Sequence, residues 1–156
     1  MKIAFVCTGN TCRSIMAEAL ARQILGETGE SGKAILLTSA GLMAYPGSPA
    51  SEQAREVMAC SGIDISSHMA RPFTEALARE ADLILTMTAA HKRALAGKYP
   101  WLGAKLFTLA EYAGAQGADV ADPFGQSVGV YRESALEIRE LVEKVIHKIL
   151  QQGNKN

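Results

Sequence analysis

Short apolar runs alternate along this chain with longer amphipathic stretches. Ile3-Ala4-Phe5-Val6-Cys7 is an unbroken apolar run of strand length, the pattern of a strand covered on both faces. Within Ile15–Leu25, Met16, Leu20 and Ile24 recur at intervals of four, which is helix period. The pattern then predicts a strand over Ala34–Ser39 and a helix over Ser51–Cys60, stopped by Ser61-Gly62. A third strand is expected over Asp82–Met87, a helix over Ala89–Ala96 and a short fourth strand over Lys105–Thr108. Ile138, Leu141, Val142, Val145 and Ile149 share one face of a last helix, with Glu140 and Lys144 paired on its outer side. Beyond it, Gln151–Asn156 is polar and is expected to fray.

Strands alternating with helices at this spacing predict an α/β fold. The expected architecture is a three-layer α/β/α sandwich around a four-stranded parallel sheet. No repeat, low-complexity tract or linker divides the chain, so residues 1–150 read as one domain and 151–156 as a polar tail. In such sheets ligands bind beyond the carboxyl ends of the strands, where strand order reverses. The loop after the first strand is therefore the first place to seek chemistry.

Composition narrows the classes. The chain has 156 residues, 16 Lys+Arg and 16 Asp+Glu, for a formal net charge of zero. A zero balance argues against nucleic acid or an acidic membrane as partner. No apolar run approaches the length of a signal core or a membrane span. Three cysteines are an odd number and too few for a secreted disulfide framework, so a reducing cytoplasm is the expected compartment. His68, His91 and His147 lack metal-ligand spacing, and neither metal nor cofactor is expected. Arg71-Pro72 and Lys92-Arg93 read as solvated basic pairs, and Cys60 as a core residue near a helix end.

The loop is Cys7-Thr8-Gly9-Asn10-Thr11-Cys12-Arg13-Ser14, running straight into a helix. It is neither a Walker loop nor a dinucleotide fingerprint; it is Cys-x5-Arg-Ser. With three cysteines in the chain, such a match arises by chance roughly 0.02 times. A tight loop at a helix N-terminus turns several backbone N–H groups inward and makes an anion nest. The Arg13 fork can hold two phosphate oxygens at once. A cysteine facing such a positive field is favoured as thiolate. Cys7 would then lie beneath a bound phosphoryl group as an in-line nucleophile, with Ser14 able to donate a hydrogen bond to its sulfur. Gly9 or Asn10 can supply the left-handed backbone that the turn needs.

Phosphocysteine chemistry also needs a proton donor for the leaving group and later a base for water. Asp122 in Ala121-Asp122-Pro123-Phe124-Gly125 is the candidate, because this turn-rich loop should follow the fourth strand at the same sheet edge. A bare turn-capping role remains open for it on these grounds.

The whole chain resembles the low-molecular-weight protein tyrosine phosphatase family, through Val6–Ser14, Thr38-Ser39-Ala40-Gly41, Ala81–Met87 and Asp122-Pro123-Phe124-Gly125. Within it the chain looks most like the bacterial protein-arginine phosphatases. The resemblance implies a phosphotyrosine protein phosphatase I-like fold of flavodoxin-like topology, acting on phosphorylated proteins, with a monomer expected. It implies Cys7 as nucleophile, Arg13 as transition-state clamp and Asp122 as general acid and base. Asn10, Ser14 and Ser39 would support the loop, and Cys7 and Cys12 could form a reversible protective disulfide.

Tyrosine-specific members usually carry an aliphatic residue in place of Thr11, tyrosines in place of Phe124 and Gly125, and proline in place of Ile15. A hydroxyl at Thr11 offers a polar partner to a planar guanidinium, where an aliphatic side chain favours an aromatic ring. Threonine there is linked to the arginine-phosphatase branch. Phe124 is the expected pocket wall and Tyr45 a candidate for the opposite one. Phosphoarginine is thus the expected substrate, with phosphotyrosine as the alternative. An arsenate reductase would need further redox cysteines that Cys60 alone does not provide. An FMN carrier, suggested by Thr8-Gly9-Asn10-Thr11, would have no use for Cys7 and Arg13 at this spacing.

Overall fold

The computed structural model describes residues 1–116 and 119–155. Strands β1 (Lys2–Cys7), β2 (Leu36–Gly41), β3 (Leu83–Thr86) and β4 (Leu106–Thr108) form one parallel sheet in the order β2-β1-β3-β4. Val6 lies opposite Ala40 on one side and Thr86 on the other, so the carboxyl ends of β1, β2 and β3 come level. Strand order reverses beside β1, and Cys7 is its last residue.

Alternate residues of a strand face opposite sides, and both sides here are covered. Ile3, Phe5 and Leu85 pack against Met16 and Leu20 of α1 (Arg13–Glu27), Met58 of α2 (Glu52–Cys60) and Val142 of α6 (Val128–Gly153). Ala4, Val6 and Ile84 face the other way, onto Leu77 of α3 (Glu75–Glu80) and Leu95 of α4 (Ala89–Lys98). A short α5 (Leu109–Tyr112) follows β4. This is the expected three-layer α/β/α fold with flavodoxin-like topology. Burial on both faces explains why β1 reads as a continuous apolar run. No helix among the described residues is long and apolar enough to cross a membrane.

Several boundaries differ from the sequence pattern. β2 begins at Leu36, not Ala34, because its register with β1 starts at the Lys2–Leu36 pair. α1 begins at Arg13, two residues before its first bulky apolar position, because the Cys12 carbonyl already accepts from Met16 N at 3.0 Å. α6 begins at Val128, where Ser127 caps it by accepting from Val130 N. Its first three turns bury Tyr131, Ser134 and Ala135, of which Ser134 and Ala135 carry little apolar signal. Its end reaches Gly153, so Gln151 and Gln152 are helical rather than frayed; Asn156 lies outside the described residues. On its outer side the i,i+4 ion pair is Arg139–Glu143, at 3.5 Å. α3 escaped the pattern because it has only six residues. Cys60 is exposed, not core: it is the last residue of α2, past the buried Ala54, Val57 and Met58.

Gly41 marks where the sheet meets the loop. A Cβ there would fall 2.5 Å from the Thr8 carbonyl oxygen and 2.9 Å from the Asn10 nitrogen. Both are backbone atoms with little room to move. Gly41→Ala is therefore expected to cost about 1–3 kcal/mol of stability and to weaken inorganic phosphate binding. Chemical denaturation with calorimetric phosphate titration checks this; wild-type values for both would contradict the close approach.

Candidate active site

Between β1 and α1 the chain makes a tight loop closed by one left-handed residue. That residue is Asn10, at φ 57°, the only non-glycine residue with positive φ among those described. Asparagine tolerates this conformation because its short amide bonds locally. Here the amide is buried and nearly fully used. Asn10 Nδ2 donates to Ser14 Oγ and to Ser39 Oγ, each at 2.9 Å, and Oδ1 accepts from Arg71 N at 3.0 Å. His68 Nε2 donates to the Asn10 carbonyl at 2.7 Å, and Arg71 Nε donates to the Ser39 carbonyl at 3.1 Å.

This network reaches the sulfur. Ser14 Oγ accepts from Asn10 and lies 2.9 Å from Cys7 Sγ. Its own proton is thus available to the sulfur. α1 has no side-chain cap at Cys12, so its first backbone N–H groups remain available to a bound anion.

A second loop meets the first across the strand ends. Val120 N donates to the Met87 carbonyl at 3.0 Å, and Asp119 Oδ1 accepts from Ala89 N at 2.8 Å, which ties the segment to the start of α4. The buried Arg13 donates from Nη1 to the Val120 carbonyl at 3.1 Å, and its Nη2 lies 3.4 Å from Asp122 Oδ2. Asp122 Oδ1 accepts from Phe124 N at 3.1 Å, so the turn role open to it in the sequence is real and leaves Oδ2 facing Arg13. Gly125, at φ 75°, completes this turn.

Cys7, Thr8, Gly9, Thr11, Cys12, Arg13, Asp122 and Phe124 line one pocket of about 230 Å³. The structure thus brings together both catalytic candidates from the loop, Asp122, Thr11 and Phe124. Asn10, Ser14 and Ser39 support the loop from beneath. Tyr45 is not brought in: it is 80% exposed and absent from the lining. Cys12 Sγ lies 3.1 Å from the hydroxyl of Tyr131 and donates toward Ser51 Oγ at 3.5 Å. Burial, and then the neighbouring Cys12, push the Tyr131 phenol up to about 12, so it stays a protonated donor to that sulfur.

Four contributors were missed from the sequence. Arg71 is no solvated pair member but braces Asn10 and Ser39, and His68 braces the loop's carbonyl. Tyr131 holds Cys12 from α6, and His91 Nε2 lies 2.8 Å from Thr8 Oγ1. Only Tyr131 left a signal, as the tyrosine on the buried stripe of α6. Among the described residues no cluster of acidic, histidine or cysteine side chains could hold a metal.

A buried cysteine and arginine in one anion-binding loop, met by an aspartate from a second loop, define a cysteine-dependent phosphatase. The model of the low molecular weight phosphotyrosine protein phosphatase family matches residues 2–156, and the chain belongs to that family. It is 40% identical to a protein-arginine-phosphatase of Bacillus subtilis strain 168 over 96% of this chain and 97% of that one. A solved YwlE arginine phosphatase, a Cys-to-Ser mutant with a phosphorylated active-site serine, superposes with TM-score 0.89 at 38% identity, over 100% of this chain and 97% of that one. A low molecular weight protein tyrosine phosphatase from T. tengcongensis does so with TM-score 0.86 at 44% identity, over 95% and 99%.

Proposed function

We propose that this phosphatase hydrolyses phosphoarginine in proteins. The observation that carries the choice is Thr11, whose side chain lines the same pocket as Asp122 and Phe124 with a hydroxyl where a bulky aliphatic wall would suit a phenyl ring. The 40% identity to a protein-arginine-phosphatase supports the reading. The 44% identity to a tyrosine phosphatase favours phosphotyrosine as the second reading.

In this mechanism the Cys7 thiolate attacks phosphorus while the backbone N–H groups of residues 8–13 and the Arg13 guanidinium hold the phosphoryl oxygens. The P–N bond breaks and its electron pair stays on the guanidine nitrogen, which takes the Asp122 proton. The phosphocysteine is then attacked by water, whose proton Asp122 accepts. The P–S bond breaks, phosphate leaves, and the thiolate returns with Ser14 donating to it. The catalytic domain spans residues 1–150. The three free cysteines suit a reducing cytoplasm, and the zero net charge suits a protein that binds neither nucleic acid nor membrane; a monomer is expected. Cys7 and Cys12 form a redox pair in the same reading.

Matched phosphoarginine and phosphotyrosine peptides decide the substrate. The expected result is a kcat/KM clearly higher for phosphoarginine, with the preference moving toward phosphotyrosine in Thr11→Ile; a clear tyrosine preference in the wild type would overturn the assignment. Asp122→Ala should slow turnover by roughly 10²–10⁴-fold, most where the leaving group is basic, and an equal loss across a leaving-group series would count against its acid role. Mild peroxide should close a Cys7–Cys12 disulfide, read by peptide mass mapping. Sulfonic acid at Cys7 with Cys12 still free would sink the redox pairing.

A further inference from the structure

The half of the loop that carries Asn10 is held by Ser39, His68 and Arg71. The half that follows the nucleophile has different supports. Thr8 accepts through its carbonyl from Met43 N at 2.9 Å, and its side chain meets the largely buried His91 of α4. Of the two His91 ring nitrogens, Nε2 lies 2.8 Å from Thr8 Oγ1, while Nδ1 is buried with no hydrogen-bond partner among the described residues. A neutral imidazole carries one proton. On Nδ1 it would be a buried donor with no acceptor, which is rarer and costlier than an unfilled lone pair. The proton therefore sits on Nε2, which donates to Thr8.

This bond completes a circuit. From Thr8 it passes through His91 into α4, whose first residue, Ala89, donates to Asp119. From Asp119 the chain continues to Val120, whose carbonyl accepts from Arg13, and to Asp122 beside it. We propose that His91 is a positioning residue, its Nε2–H donating to Thr8 Oγ1 to hold the front of the catalytic loop in register with the segment that carries Asp122. His91 touches no reacting atom; it acts through Thr8. The charged groups acting on the ring are Arg13 from α1 and Asp119 and Asp122 from the second loop; burial first, then Arg13, draws its pKa down and keeps it neutral.

The test is steady-state kinetics on one small phosphomonoester with three single variants and a double, beside thermal melts. His91→Phe keeps the ring but removes the donor. Thr8→Val removes the acceptor at nearly constant volume. Each is expected to lower kcat by roughly three- to tenfold with KM little changed, and the double variant should be no worse than the poorer single. His91→Gln, which keeps an N–H donor, should recover most of the loss in kcat. If Thr8→Val keeps wild-type kcat, or if the two losses multiply in the double variant, the bond does not position the loop and the proposal fails. Should His91→Phe not fold, Thr8→Val and His91→Gln still decide: full activity in the first, or a tenfold loss in the second with an unchanged melt, overturns it. The test needs only phosphatase turnover, so its outcome does not depend on which phosphorylated residue is the natural substrate.

Discussion

One left-handed residue sets the site. Asn10 at φ 57° bends the chain so that the loop closes on itself between β1 and α1. For a non-glycine residue that conformation costs roughly 1–2 kcal/mol, and it persists because the surroundings over-determine it. Both Nδ2 protons and one lone pair of Oδ1 are committed, and the residue's carbonyl receives His68. Removing any one partner would leave a buried polar group unsatisfied. The same network leaves the Ser14 proton to the Cys7 sulfur, so loop shape and the hydrogen bond to that sulfur share one set of bonds.

The sheet makes this arrangement possible at its carboxyl edge. β1 delivers Cys7 level with Gly41, and the bare Cα of Gly41 lets the loop come down onto β2. Met87, the residue just past the end of β3, holds Val120 through its carbonyl and thereby the segment bearing Asp122. Arg13 closes the gap between the two loops by bonding Val120 and facing Asp122. A phosphoryl group entering the pocket would meet cationic and backbone donors already in place, so little reorganisation is needed at the moment of reaction.

The parts of this picture that depend on short-range spacing were legible in the sequence. Cys7, Arg13 and Ser14 lie in one eight-residue stretch, and the strands announce themselves because both faces of the sheet are buried. Asp122 was legible only as a position, since its turn geometry looks alike whether or not a substrate is near. What stayed hidden was every contact made at long range. Arg71 read as a solvated residue because a charged side chain beside proline says nothing of the loop that Ser39 and Asn10 bring to it. His68 and His91 lacked metal spacing, and hydrogen bonding to the loop through a single ring nitrogen leaves no spacing to find. Cys60 misled for the opposite reason: an apolar letter at the end of an amphipathic helix can fall on either side.

In the proposed mechanism this preformed loop presents the Cys7 sulfur in line with a phosphoryl group. A crystal structure with orthovanadate, which adopts the geometry of a transferring phosphoryl group, tests it most directly. Vanadium is expected to bond to Cys7 Sγ, with its equatorial oxygens on the loop N–H groups and Arg13, an apical oxygen facing Asp122, and Asn10 still in its left-handed conformation. Vanadate bound away from Cys7, or held only after Asn10 and the loop have rearranged, would contradict it.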